Sequence, residues 1–114
     1  DAIQLDPKNH SYYNNLGTLY NEINEFGKAI PYFDYAVKLN PRFYLAFNNL
    51  GISYNEQRVF SEGEKYFLKS AAVAHECGDY AFEAKVYYNL GNLYTARNLN
   101  EQAIEWYKKC LAIE

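Results

Sequence analysis

The chain has 114 residues, of which 49% are hydrophobic and 18% aromatic, and its formal net charge is -3. This length suits one domain or a few units of a repeat array, and the apolar content is enough to form a core. The acidic balance disfavours nucleic acid as a partner, because phosphates require a basic surface, and no apolar run approaches the roughly 20 residues of a membrane-spanning helix.

Three pairs of helices are predicted from a heptapeptide that recurs along the chain. Its copies are "NNLGTLY" from Asn14, "NNLGISY" from Asn48 and "YNLGNLY" from Tyr88, at spacings of 34 and 40 residues. Around each copy an aromatic residue, a leucine, a glycine and a tyrosine follow the i, i+3, i+4, i+7 spacing of one helix face. A second stripe of small and aromatic residues follows, and Gly17 and Ala29 are expected to bring the first two helices close together. The predicted helices are 10–23, 26–39, 44–57, 60–77, 79–97 and 100–113.

Prolines, glycines and spacing predict where these helices end. Pro31 is tolerated in the second helix only within the first turn, which requires a start near Gly27. The longer spacing of 40 residues predicts that the two central helices each gain about a turn. Gly78 is the expected stop between them, and Asp79 is the expected N-cap of the next helix.

The pattern resembles the tetratricopeptide repeat, whose signature is W-x2-L-G-x2-Y…A-x3-F…P over 34 residues. Tyr13, Phe47 and Tyr87 stand in place of the signature tryptophan, and Gly63 and His75 depart from the signature in the second unit. The resemblance implies an all-α, right-handed superhelix, an α-solenoid of antiparallel helix pairs. The expected units are the tail of a preceding repeat at 1–9 and three repeats at 10–43, 44–83 (lengthened) and 84–114.

The resemblance also implies that one side of each first helix lines a concave groove. Because each helical residue turns by about 100°, the second, sixth, ninth and thirteenth places of a repeat share a stripe opposite the signature residues. An asparagine stands at the sixth place of every repeat, and its amide can bond the backbone of an extended peptide. Alternatively, these asparagines simply follow the repeat consensus. The predicted peptide-binding residues are Asn15, Asn49, Asn89, Thr18, Ile52, Asn92, Lys85, Glu22 and Glu56.

The best-known groove of this family is a two-carboxylate clamp for chaperone C-terminal tails, and this chain matches it only at Asn49 and Lys85. The clamp implies a cation at the place of Asn14, an asparagine at Thr18 and a cation at Asn89. The missing positive charge predicts weak binding of a terminal dicarboxylate. The flanking asparagines are expected to be solvated helix surface: Asn14, Asn21, Asn48 and Asn55.

The favoured function is a protein–protein interaction scaffold that binds an extended peptide segment. There is no phosphate loop, nucleophile elbow or paired metal motif, so neither an enzyme nor a cofactor is expected. Two unpatterned cysteines favour a reduced, cytoplasmic location. The alternatives are a structural spacer or self-association segment of a longer array, and the regulatory arm of an enzyme. Self-association is expected through a C-terminal apolar face that lacks a following repeat, formed by Trp106, Leu111 and Ile113.

Overall fold

The described part of the chain is built from six α-helices. A computed structural model describes residues 9–113, which contain no strand. The helices are α1 (His10–Glu22), α2 (Phe26–Leu39), α3 (Tyr44–Glu56), α4 (Phe60–Glu76), α5 (Tyr80–Ala96) and α6 (Asn100–Ile113). All six predicted helices are therefore confirmed, with each end within one residue. Most of the predicted tail at residues 1–9 lies outside the described residues.

The helices stack as a curved array of pairs. Each helix packs against the next one along the chain, and the tightest packing is within α1/α2, α3/α4 and α5/α6. In addition, α1 contacts α3 and α3 contacts α5, whereas α2, α4 and α6 do not contact one another within residues 9–113. The first helices therefore lie on the inner side of the curve, and we call their exposed surface the concave face. No helix in this range is both long and apolar enough to cross a membrane.

The turn within each pair is closed by a residue with a left-handed backbone. Asn24, Arg58 and Asn98 have φ angles of 63°, 64° and 61°. Asparagine tolerates this region better than most residues because its short polar side chain can bond locally. The three turns therefore share one geometry, and the helices of all three pairs reverse direction in the same way.

The two central helices are longer than the others, as predicted. Both α4 and α5 have 17 residues, whereas the remaining helices have 13 or 14. Gly78 follows α4 with a φ of 77°, and the side chain of Asp79 accepts a hydrogen bond from the first turn of α5. The predicted helix stop and N-cap are both confirmed.

A buried carboxylate lies inside the lengthened junction. Glu83 accepts a hydrogen bond from the Tyr87 hydroxyl at 2.8 Å, and its other oxygen lies 2.9 Å from Nδ1 of His75. Burial, followed by the hydrogen bond to Glu83, raises the pKa of Tyr87 to about 12. The added turns of α4 and α5 are thus joined by a polar contact, which satisfies a carboxylate that would otherwise be costly to bury.

The prediction for Pro31 is wrong in one respect. Helix α2 begins at Phe26, so Pro31 is its sixth residue and lies in the second turn rather than the first. Proline has no N–H, so the Gly27 carbonyl loses its helical donor. Both residues are exposed, and water can therefore hydrate that carbonyl.

Each signature glycine lies under an aromatic ring of the second helix in its pair. A Cβ on Gly51 would come 2.4 Å from the Phe67 ring, a contact no real side chain makes. The same relation joins Gly17 to Phe33 and Gly91 to Tyr107. The glycine therefore makes room for a ring, in addition to the close approach of small residues that the sequence predicts.

Candidate functional site: the concave face

The nine residues predicted to bind a peptide all lie on α1, α3 and α5, and each is at least partly exposed. Five of them border one open depression of about 350 Å³ on the concave face. Asn15, Asn89, Asn92 and Lys85 lie outside it. We call this feature the groove depression, and its lining residues are Thr18, Asn21, Glu22, Asn24, Phe26, Asn49, Ile52 and Glu56.

The recurring asparagines form hydrogen bonds between repeats. Nδ2 of Asn49 donates to Oδ1 of Asn14, and Nδ2 of Asn89 donates to Oδ1 of Asn48, both at 3.0 Å. Asn14 is only 7% exposed and Asn48 only 3%. The expectation that these two residues are solvated is wrong, because adjacent first helices touch and bury the side chain between them. The recurring Asn-Asn pair is the sequence feature that corresponds to this bond. The bond could be predicted from it only with the knowledge that α1 contacts α3, which the sequence does not provide.

The other two flanking asparagines, Asn21 and Asn55, are half-buried rather than fully solvated. Oδ1 of Asn21 accepts a hydrogen bond from the Ser53 hydroxyl at 2.8 Å. Asn55 stands at the equivalent place one repeat later, and its Oδ1 is buried with no hydrogen-bond partner among residues 9–113. The reason is that Leu93 occupies, in the third repeat, the place that Ser53 occupies in the second.

Several predicted residues are already partly committed to contacts within the chain. The Thr18 hydroxyl donates to the Asn14 carbonyl at 2.8 Å, and Oδ1 of Asn92 accepts from the Tyr107 hydroxyl at 2.5 Å. In contrast, the amide oxygens of Asn49 and Asn89 accept no hydrogen bond from the described part of the chain. Both oxygens are therefore available as acceptors on the concave face.

The charges on the concave face are unevenly placed. Glu22 and Glu56 are exposed and form neither an ion pair nor a hydrogen bond with any residue between 9 and 113. Lys85, the one cation among the nine predicted residues, lies with Nζ 5.5 Å from the centre of the Phe82 ring. No group of three or more His, Cys, Asp or Glu side chains in the described range could hold a metal ion.

Solved structures of other helical repeat proteins share this architecture. The N-terminal domain of stress-induced protein-1 (STI-1) from C. elegans is 27% identical, with a TM-score of 0.82 over 91% of this chain and 83% of that one. A crystal structure of MamA is 24% identical, with a TM-score of 0.84 over 98% of this chain and 58% of that one. MamA from Desulfovibrio magneticus RS-1 is 20% identical, with a TM-score of 0.83 over 97% and 59%. This chain thus spans about three fifths of the MamA chains.

Sequence comparison assigns the family. No curated protein sequence matches the chain. Two sequence profiles, both described as tetratricopeptide repeat, match residues 10–43 and 43–113. Such repeats generally mediate protein–protein interaction and form scaffolds without catalytic activity. Together with the helical-repeat solenoid, these matches show that the chain belongs to the tetratricopeptide repeat family.

Proposed function

We propose that this chain is a binding module, not an enzyme, whose concave face holds an extended peptide segment of a partner protein. The observation that carries the proposal is the hydrogen bonding of the side-chain amides of Asn49 and Asn89. Each is held by a hydrogen bond to the preceding repeat, yet its amide oxygen has no partner within residues 9–113. An acceptor that is already fixed in place loses little side-chain entropy when it binds a peptide N–H. A cytoplasmic location is part of the proposal and rests on the cysteine content.

The buried partners of these asparagines provide matched controls. Asn49→Ala and Asn14→Ala both break the same hydrogen bond, but only Asn49 reaches the groove depression. We expect both variants to lose about 1–2 kcal/mol of unfolding free energy, the usual cost of a broken buried hydrogen bond. Asn49→Ala should also weaken peptide binding, by about fivefold, because it removes the acceptor itself. Asn14→Ala keeps that acceptor and removes only the bond that fixes it, so it should weaken peptide binding less. Asn89→Ala and Asn48→Ala form a second pair, in which Asn89 is partly exposed on the concave face outside the groove depression and Asn48 is buried.

The experiment uses peptides selected from a random library on the immobilised wild-type chain. Their affinities for the four variants are measured by calorimetry, at a temperature where every variant is folded. If the two members of each pair bind the peptides equally well, the amides of Asn49 and Asn89 do not contact the peptide. That result would favour a structural spacer. Failure to select any peptide would overturn the proposal as a whole.

Self-association is a second candidate function, carried by the exposure of α6. Leu111 is 71% exposed and Ile104 is 51% exposed. They stand at the repeat places where Val37 and Ile30 pack against the core formed with the next repeat. Of the predicted face, Trp106 and Ile113 are half-buried, and Trp106 packs against aromatic residues of its own repeat. We propose that a second copy of the chain covers this surface.

Light scattering over a hundredfold range of concentration tests this second candidate. Leu111→Glu should prevent association by placing a charge in the contact. Leu68→Glu is the control, because Leu68 is also an exposed apolar residue but lies on α4. A wild-type chain that stays monomeric throughout, or equal association of both variants, would contradict self-association through α6.

A further inference from the structure

Two carboxylates border the groove depression without a partner. Glu22 on α1 and Glu56 on α3 stand at the same place in consecutive repeats, and both are exposed. Neither is neutralised by a cation within residues 9–113. By contrast, Glu76 is paired with Arg42 at 3.0 Å, and Glu62 with Lys65 at 3.8 Å. Two uncompensated negative charges at one cavity produce a local potential that attracts a cation.

The rest of the lining suits a long cationic side chain better than a bare ion. None of the residues that line the depression is a lysine, arginine or histidine. Ile52 and Phe26 supply apolar surface, against which the methylene stem of a lysine or arginine can pack while its charged end stays hydrated. The amide oxygen of Asn49 adds a neutral acceptor beside the two carboxylates. The volume of about 350 Å³ is sufficient for one such side chain.

The third repeat has no carboxylate at the equivalent place, so the unpaired carboxylates are restricted to one part of the concave face. Ala96 stands where Glu22 and Glu56 stand in the first two repeats. Lys85, the cation on α5, lies outside the depression. Within residues 9–113, the exposed carboxylates of the concave face therefore lie only at the junction of the first two repeats.

We infer that the groove depression selects a lysine or arginine side chain of the bound peptide. The inference rests on the proposed peptide binding and adds the chemical class of the residue that is recognised. Attraction between the opposite charges, together with apolar packing of the stem, provides the selectivity. The backbone of the same peptide is held by the amides of the concave face.

Pools of capped peptides test the inference directly. Each pool contains random uncharged decapeptides with one central position fixed as lysine, arginine, norleucine or glutamate. We expect the wild-type chain to bind the lysine and arginine pools about fivefold more tightly than the norleucine pool, and the glutamate pool least tightly. The preference for cations should decrease as salt is raised, because exposed charges are screened.

Two double variants with the same change in net charge distinguish an effect of the groove depression from an effect of the overall charge of the chain. Glu22→Gln with Glu56→Gln should abolish the preference but retain binding of the norleucine pool. Glu101→Gln with Glu105→Gln, both exposed on α6, should keep the preference. A preference that survives in the first variant, or a wild-type chain that binds all pools equally, would overturn this inference and leave peptide binding intact. If no pool binds, the proposed function fails and this inference fails with it.

Discussion

At the scale of single residues, the same amino acid has different hydrogen bonding at equivalent places in neighbouring repeats. The residue that the next repeat places at the equivalent position is Ser53 for Asn21 and Leu93 for Asn55. Ser53 donates a hydrogen bond to Asn21, whereas Leu93 presents no polar atom to Asn55. A buried polar atom without a partner destabilises the fold, while a satisfied one is neutral or stabilising.

We predict opposite effects of one substitution at these two places. Asn55→Ala removes an unsatisfied carbonyl and should raise the unfolding free energy by about 1 kcal/mol. Asn21→Ala removes the bond from Ser53 and should lower it by about 1 kcal/mol. Ser53 also donates to the Asn49 carbonyl at 3.0 Å, so the serine itself is not left without a partner. Urea unfolding followed by circular dichroism measures both values, and effects of the same sign would contradict the prediction.

At the scale of helix pairs, the contact between glycine and an aromatic ring fixes how closely two helices pack. Phe67 is almost fully buried against α3, and its ring fills the space that a side chain at Gly51 would need. We predict that Gly51→Ala lowers the unfolding free energy by about 2 kcal/mol, because an overpacked core must shift. The loss exceeds the roughly 1 kcal/mol that alanine gains over glycine in a helix.

Gly63→Ala is the control for this prediction. A Cβ at Gly63 would lie 3.2 Å from Cδ1 of Leu93, the end of a flexible side chain, and 3.3 Å from the Gly51 carbonyl oxygen. Small movements can relieve these contacts, so the gain in helix propensity should leave stability within about 1 kcal/mol of wild type. Equal losses in the two variants would show that the ring does not control the packing distance.

The sequence was sufficient to predict the positions of the helices but not the side-chain contacts between them. Helix ends follow from local signals, such as the positive φ of Gly78 and the cap formed by Asp79, so they could be predicted within one residue. The burial of Asn14 and Asn48 depends on which helices touch across repeats, which no local pattern specifies. The groove depression likewise arises only when α1 and α3 are placed side by side.

At the scale of the whole molecule, the charges of the concave face oppose an acidic ligand. We predict that a peptide ending in Glu-Glu-Val-Asp binds no better than its scrambled, amidated control. Asn14, at a place where the carboxylate clamp needs a cation, is buried against Asn49. Glu22 and Glu56 add repulsion nearby. Fluorescence anisotropy is the measurement, and salt-sensitive binding that depends on the free carboxylate would contradict the prediction.

Five tyrosines within residues 9–113 have a raised pKa. The hydrogen bond to Asp79 is the largest cause of a raised pKa for Tyr44. Burial is the largest cause of a raised pKa for Tyr54, Tyr66, Tyr87 and Tyr94. A raised pKa means that the folded chain keeps its proton at a pH where the unfolded chain has lost it. The resulting stabilisation is complete below about pH 10, the pKa of an unfolded tyrosine, and is lost as the pH rises further.

We therefore predict that the unfolding free energy falls steeply between about pH 10 and pH 12, where tyrosines of the unfolded chain ionise first. Tyr87, with its folded pKa of about 12, should account for a distinct share of this fall. In Tyr87→Phe the ring remains but cannot ionise, so the fall should be shallower than in the wild type. Urea unfolding at a series of pH values measures both slopes. Identical slopes would mean that the Tyr87 hydroxyl ionises as readily in the folded chain as in the unfolded one, in spite of its burial and its bond to Glu83.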